Sequence, residues 1–143
     1  MLPDYFHFLL TGEKRSEYTN ATSTQLVNAE TKDWDDEVIS RLGYPREMFL
    51  PLSQPGTQVG VFTKEIEKEV GFSCQVVLPA THDTASAVMA VPCQEDNCLY
   101  ISSGTWSLMG TENKKAICTE ESRQKNFTNE GGYDFRYRYL KNI

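Results

Sequence analysis

The chain has 143 residues, enough for one ordinary domain or parts of two, and its 39% hydrophobic and 24% charged residues argue against a disordered or membrane-embedded protein. Twenty acidic residues against 14 basic ones give a formal charge of −6. That balance speaks against a sequence-independent nucleic-acid binder, which needs a basic face to displace counterions, but leaves room for a small anion held by backbone N–H groups.

The apolar and aromatic residues at 2–10 predict the end of a helix, closed by a turn at Thr11 and Gly12. The run carries no basic flank and is too short to cross a membrane, so a cytoplasmic location without targeting segment is expected. The Ser/Thr/Asn-rich stretch at 16–24 is ambiguous, because such side chains compete for local backbone hydrogen bonds. A helix is expected at 33–42, with Asp33 as cap, Asp35, Asp36 and Glu37 in the first turn, and Gly43 as stop. Proline and glycine then punctuate 44–60, a long connection with at most one helical turn.

Residues 59–62 suggest a short strand, and Thr63 a cap for a charged helix ending at Val70 before Gly71. The apolar run at 74–79 suits a buried strand, followed by a small-residue helix at 81–90. From Asn97 the composition changes to short strands separated by turns: 98–102, 106–110, a segment around Phe127, and 133–140. In the last of these Tyr133, Phe135, Tyr137 and Tyr139 alternate with Asp134, Arg136 and Arg138, the period of a strand with one apolar and one polar face. A boundary at 91–97 therefore divides an α/β part from a β-rich part. Each part has too few strands for a closed sheet, which predicts a piece of a larger protein whose open edges favour self-association.

The four cysteines are read as reduced thiols, with a disulfide left open for an exported chain. Cys93 and Cys98 have no further ligands at metal spacing, and His7 and His82 lie far off, so no metal site is expected. The sequons at Asn20 and Asn126 matter only in a secreted chain.

Three clusters could carry chemistry. His82, Asp83 and Thr84 follow a strand and open a helix, the place where ligands bind in open α/β sheets. Phosphorylating an alcohol requires its proton to leave as the P–O bond forms, and a positioned Asp can accept it. On these residues alone, a capping role for Asp83 is the simpler reading. Gly104 and Thr105, flanked by serines between two strands, form a turn whose hydroxyls and N–H groups suit phosphate oxygens, although on these residues alone a plain hairpin is the simpler reading. Asn129 and Glu130 before Gly131 and Gly132 could bind sugar hydroxyls or simply make a turn.

The ordered combination goes further. The Leu-Pro-Asp-Tyr-Phe run from Leu2, the Thr-Asn-Ala-Thr segment from Thr19, His-Asp-Thr-Ala-Ser-Ala-Val from His82, Ser-Ser-Gly-Thr-Trp-Ser-Leu-Met-Gly from Ser102, and Leu-Lys-Asn-Ile from Leu140 stand in series. Together they resemble the FGGY carbohydrate kinases over essentially the whole chain, and among them those acting on L-rhamnulose. The resemblance implies an α/β fragment of the actin-like, ribonuclease-H-like ATPase fold spanning the junction of its two domains. Residues 1–92 would be the C-terminal portion of the first, sugar-binding domain, and 93–143 the beginning of the second, nucleotide-binding domain. It implies Asp83 as proton acceptor, His82, Asp83, Thr84 and Asn142 as sugar contacts, and Gly104 and Thr105 as the ATP-phosphate turn. ATP and Mg2+ would be the cofactors, and L-rhamnulose the substrate. The alternatives are a kinase of another ketose, such as L-fuculose or L-xylulose, and a non-catalytic truncated kinase. The family's first phosphate loop would precede Met1 and later nucleotide loops would follow Ile143, so the chain alone is expected to be inactive.

Overall fold

The computed structural model describes residues 1–93, 95 and 98–143. Helix α1 (Leu2–Thr11) ends where expected, because Gly12 takes the left-handed conformation at φ 75° and donates its N–H to the Phe8 carbonyl. The ambiguous stretch resolves into β1 (Ser16–Glu17), the short α2 (Tyr18–Ala21) and a 3-10 turn over Thr22–Thr24. Here the hydroxyls of Thr22, Ser23 and Thr24 each donate to the carbonyl three residues back, the local competition that blurred the sequence pattern.

Helix α3 (Asp36–Arg41) starts later than expected. Its cap is Asp35, which accepts from Val38 N–H at 3.0 Å, whereas Asp33 accepts from Trp34 N–H. The connection beyond it contains a 3-10 turn over Arg46–Met48 and then β2 (Leu52–Ser53), paired parallel to β1. Next come β3 (Gln58–Val61), α4 (Lys64–Val70) and β4 (Gln75–Val77). Thr63 and Gly71 bound α4 as read from the sequence. Strand β4 departs from expectation: only Val76 is buried, while Gln75 and Val77 are exposed. Its one partner is the antiparallel β3, and a two-stranded ribbon packed on one side covers one face only.

Helix α5 (Asp83–Met89) leads into the β-rich part. Strands β5 (Leu99–Ser103), β6 (Ser107–Asn113), β7 (Thr128–Gly131) and β8 (Tyr137–Asn142) form one antiparallel sheet in the order β5-β6-β8-β7. A short helix the sequence did not suggest, α6 (Glu120–Gln124), is capped by Thr119 and precedes β7. Residues Tyr133–Phe135 are a 3-10 turn rather than the start of a strand, with Asp134 and Phe135 at positive φ. Of the expected boundary at 91–97, residues 94, 96 and 97 lie outside the described residues. Cys93 and Cys98 are joined in a disulfide with Cα atoms 6.4 Å apart, which corrects the expectation of reduced thiols for this pair; Cys74 and Cys118 are free and exposed.

The core is three small clusters. Ala21, Trp34 and Ile39 form one, where Trp34 meets Phe49 edge-on and donates its indole N–H to the Leu50 carbonyl. Val59, Val76 and Leu78 form the second, and Val88, Tyr100 and Leu140 the third, which seats α5 on the sheet. The two parts of the chain also interlock. Gly131 N–H donates to Thr22 Oγ1 at 2.8 Å, Tyr137 hydroxyl to the Ala29 carbonyl at 2.6 Å, and Lys32 Nζ to the Phe135 carbonyl at 2.9 Å.

Gly110 lies at the closest approach in the sheet. A Cβ there would sit 2.6 Å from the Tyr139 carbonyl oxygen and 2.7 Å from Leu140 Cβ, so backbone must move. Gly110→Ala is expected to destabilise the chain by about 1–3 kcal/mol, read as a lower urea midpoint. An unchanged midpoint would refute the packing argument.

Candidate active site around His82 and Asp83

The site begins with a residue that sequence reasoning passed over. Glu17 is fully buried, and its carboxylate is saturated with donors. Oε1 accepts from Thr19 N–H at 2.8 Å. Oε2 accepts from Thr19 Oγ1 at 2.6 Å, Asn20 N–H at 3.0 Å, Thr81 N–H at 3.1 Å and Thr81 Oγ1 at 2.7 Å. The bonds from Thr19 N–H and Asn20 N–H cap α2, and those from Thr81 tie residue 81, just ahead of α5, to that cap. His82 N–H adds a bond to Thr19 Oγ1 at 3.3 Å. A buried carboxylate is tolerated only with such compensation, so this anchor defines where α5 starts. The one sequence cue was an acidic residue two positions before a threonine, too common to single out.

At that start Asp83 does not cap the helix. Its Oδ1 accepts from the adjacent Thr84 N–H at 2.7 Å, and α5 has no side-chain cap. The Asp83 side chain is 99% exposed, held at the surface by an anchored backbone. Thr84, by contrast, is buried, with its hydroxyl 3.4 Å from Asp83 Oδ1.

His82 sits between two carboxylates. Nδ1 is 3.5 Å from Asp83 Oδ1, and Nε2 is 3.6 Å from Glu130 Oε2. Burial lowers the imidazole pKa below its ordinary value, and the nearby Arg138 charge adds to that, against the opposing pull of Glu130, Asp83 and Glu17. Burial and Arg138 thus favour the neutral imidazole over the charged form.

Behind Glu130 lies a charge row that includes Arg138, which the alternation pattern had put on the polar face of a strand. Glu112 on β6 and Glu130 on β7 both pair in register with Arg138 on the central β8, so the three side chains share one face. Arg138 is completely buried. Its Nε donates to the Gly131 carbonyl at 3.2 Å, and its Nη2 lies 3.0 Å from Glu130 Oε2.

The other expected site residues lie elsewhere on the sheet. Gly104 and Thr105 are in the exposed β5–β6 hairpin, where Gly104 N–H is already bonded to the Trp106 carbonyl. Asn142, exposed at the end of β8, pairs with Leu108, and Ile143 N–H donates to the Ser107 carbonyl, so Asn142 and the hairpin share one end of the sheet. Arg138 is four residues from Asn142, roughly 13 Å along an extended strand. The fold thus gathers His82, Asp83 and Glu130 at one end and Asn142 with the Gly104–Thr105 turn at the other.

The hairpin carries three hydroxyls, those of Thr105, Ser103 and Ser107, the last two 3.3 Å from each other. Among the described residues there is no group of three or more His, Cys, Asp or Glu placed to hold a metal ion. A separate open cleft of about 420 Å3 is lined by Thr22, Asn129 and Tyr137 among others, but its Glu120 and Arg123 are paired with each other at 2.8 Å and it contains neither His82 nor Asp83. No helix among the described residues is long and apolar enough to cross a membrane.

Residues 1–90 match the profile of the N-terminal domain of the FGGY family of carbohydrate kinases. Proteins named rhamnulokinase are similar over all 143 residues: that of Oceanobacillus iheyensis is 58% identical, that of Halalkalibacterium halodurans 56% and that of Pectobacterium atrosepticum 48%. The chain spans 30%, 30% and 28% of their respective lengths. Among solved structures, a ligand-bound xylulose kinase from Lactobacillus acidophilus superposes with a TM-score of 0.84 at 19% identity, over 98% of this chain and 28% of that one. A gluconate kinase from the same organism gives 0.82 at 20% identity, over 98% and 28%. At such identities the likeness shows the fold.

Proposed function

Because the chain belongs to the FGGY family of carbohydrate kinases, with that family's actin-like, ribonuclease-H-like ATPase fold, we propose that it is the catalytic-base segment of a kinase transferring the ATP γ-phosphoryl group to L-rhamnulose. The observation that carries this reading is Asp83, a fully exposed carboxylate on a backbone fixed by the buried Glu17 anchor. Identity of 46–58% to proteins named rhamnulokinase supports the substrate.

In this reading residues 1–92 are the C-terminal portion of the sugar-binding domain and 93–143 the beginning of the nucleotide-binding domain. The end of the family match at residue 90 supports that division. Asp83 accepts the proton of the sugar 1-hydroxyl as the new P–O bond forms, so that the attacking oxygen does not become cationic. His82 and Thr84 at the same helix start, and Asn142 on β8, hold sugar hydroxyls. The Gly104–Thr105 turn donates to ATP phosphates, and closure of the two domains would bring that end of the sheet toward Asp83. Bound with the nucleotide, magnesium would offset phosphate charge.

The test is to assay an intact kinase containing this segment against a set of ketoses. Preferential ATP-dependent phosphorylation of L-rhamnulose is expected, and a preference for L-fuculose or L-xylulose would overturn the substrate assignment. The 143-residue chain by itself, spanning about 30% of its relatives, is expected to show no turnover; robust phosphorylation by it would contradict the shared-cleft reading.

A further inference from the structure

We propose that Glu130, anchored by the buried Arg138, is a positioning residue that holds the His82 proton on Nε2 and leaves Nδ1 as a lone-pair acceptor beside Asp83. The inference rests on the kinase reading only for its consequence in catalysis; the geometry stands independently.

A neutral imidazole has one N–H to share between two carboxylates at nearly equal distance, 3.6 Å on the Glu130 side and 3.5 Å on the Asp83 side. The two acceptors differ in hydration. Asp83 is 99% exposed, so water solvates its charge, and Thr84 N–H already bonds it. Glu130 is only 19% exposed, and its buried Oε2 faces Arg138 Nη2 at 3.0 Å without a hydrogen bond of good geometry. A carboxylate oxygen shielded from water gains more from an N–H than one that water satisfies, so the proton belongs on the Glu130 side. At 3.6 Å the contact is an electrostatic bias rather than a hydrogen bond, and such contacts commonly shorten when substrate binds.

Arg138 makes the bias rigid. Its guanidinium holds β7 at two adjacent points, the Gly131 carbonyl and the Glu130 side chain. Being fully buried between β6 and β7, it has no freedom to release either. The same charge discourages a second proton on His82, as does burial. The arrangement parallels histidines whose tautomer is set by a carboxylate behind the ring. Its chemical consequence is a pair of acceptors, His82 Nδ1 and Asp83 Oδ1, 3.5 Å apart. Nδ1 is itself buried without a hydrogen-bond partner, and Asp83 is the member of the pair exposed to solvent.

The experiment is 15N NMR of the 143-residue chain without sugar or nucleotide. It contains two histidines, and His7→Gln assigns the His82 signals. The wild-type chain is expected to show Nε2 protonated and Nδ1 bare at neutral pH. Glu130→Gln is expected to lower the tautomer ratio several-fold. It should also shift the His82 titration to lower pH, since Arg138 then faces the ring with only Asp83 and Glu17 opposing it. Asp83→Asn is expected to change the ratio little. Protonation at Nδ1 in the wild-type chain overturns the assignment, as does a larger tautomer change in Asp83→Asn than in Glu130→Gln. If Glu130→Gln does not fold, the wild-type spectrum still decides. Because no substrate is present, an Nε2–H signature in the chain, together with an intact kinase containing it that phosphorylates no ketose, supports the positioning role while sinking the kinase reading.

Discussion

Replacing Asp83 with asparagine in the intact kinase is expected to lower kcat by about 10²–10⁴-fold, the usual worth of a positioned general base, with ATP binding unchanged. Asparagine keeps the shape and the acceptor oxygen that meets Thr84 N–H, so α5 should start where it does now. What disappears is the ability to take up a proton. In the transition state the sugar hydroxyl becomes more acidic as the P–O bond forms, and without an acceptor that proton must pass to water. The loss should therefore fall on kcat, with KM for the ketose moving far less. Side-chain exposure of 99% makes the stability cost small, so a folded, ATP-binding and nearly inactive enzyme is the expected result. Near-normal turnover would remove Asp83 from the role of base. A calorimetric ATP titration alongside the rate measurement separates lost chemistry from lost nucleotide binding.

Glu17→Ala is expected to destabilise the chain by about 3–5 kcal/mol, the range for removing one partner from a buried charged network. Five donors lose their acceptor at once, and three of these are backbone N–H groups that cannot rotate toward another partner. The fold has no larger core nearby to absorb the loss, since its apolar clusters are small and separate. Glu17→Gln should fall between: an amide keeps one acceptor oxygen, but its NH2 would face donors at the other position. Urea denaturation followed by far-UV circular dichroism measures both. A change below about 1 kcal/mol for the alanine variant would mean that the saturated carboxylate is not an anchor. In the intact kinase the glutamine variant should also lose turnover, because the two bonds to Thr81 set the position of Asp83.

The sequence read well where local chemistry decides structure. Thr63 and Gly71 delimit α4, and Gly12 closes α1, because caps and left-handed glycines act within a few residues. It read poorly where neighbours decide. The cap of α3 shifted from Asp33 to Asp35, two acidic residues with the same local preference, distinguished only by which one reaches Val38 N–H. The tyrosine and phenylalanine alternation from 133 to 139 looked like one long strand, yet positive φ at Asp134 and Phe135 breaks it into a turn and β8.

The candidate site divides along the same line. His82, Asp83 and Thr84 at a helix start, and Gly104 and Thr105 in a hairpin, were evident in the sequence by itself, because strand-to-helix and strand-to-strand turns announce themselves in glycine, hydroxyl and carboxylate residues. Family membership was equally evident, since it rests on ordered motifs. Only the tertiary structure decided what stands behind those residues. Arg138 was expected only on the polar face of a strand, but β8 is a central strand flanked by β6 and β7, and the guanidinium is buried between Glu112 and Glu130. Glu17 reaches Thr81 across 64 positions of chain, and Glu130 meets His82 from the other part of the molecule. Such partners are set by strand order and packing, which bring distant residues together at a cost in chain entropy that no local pattern records.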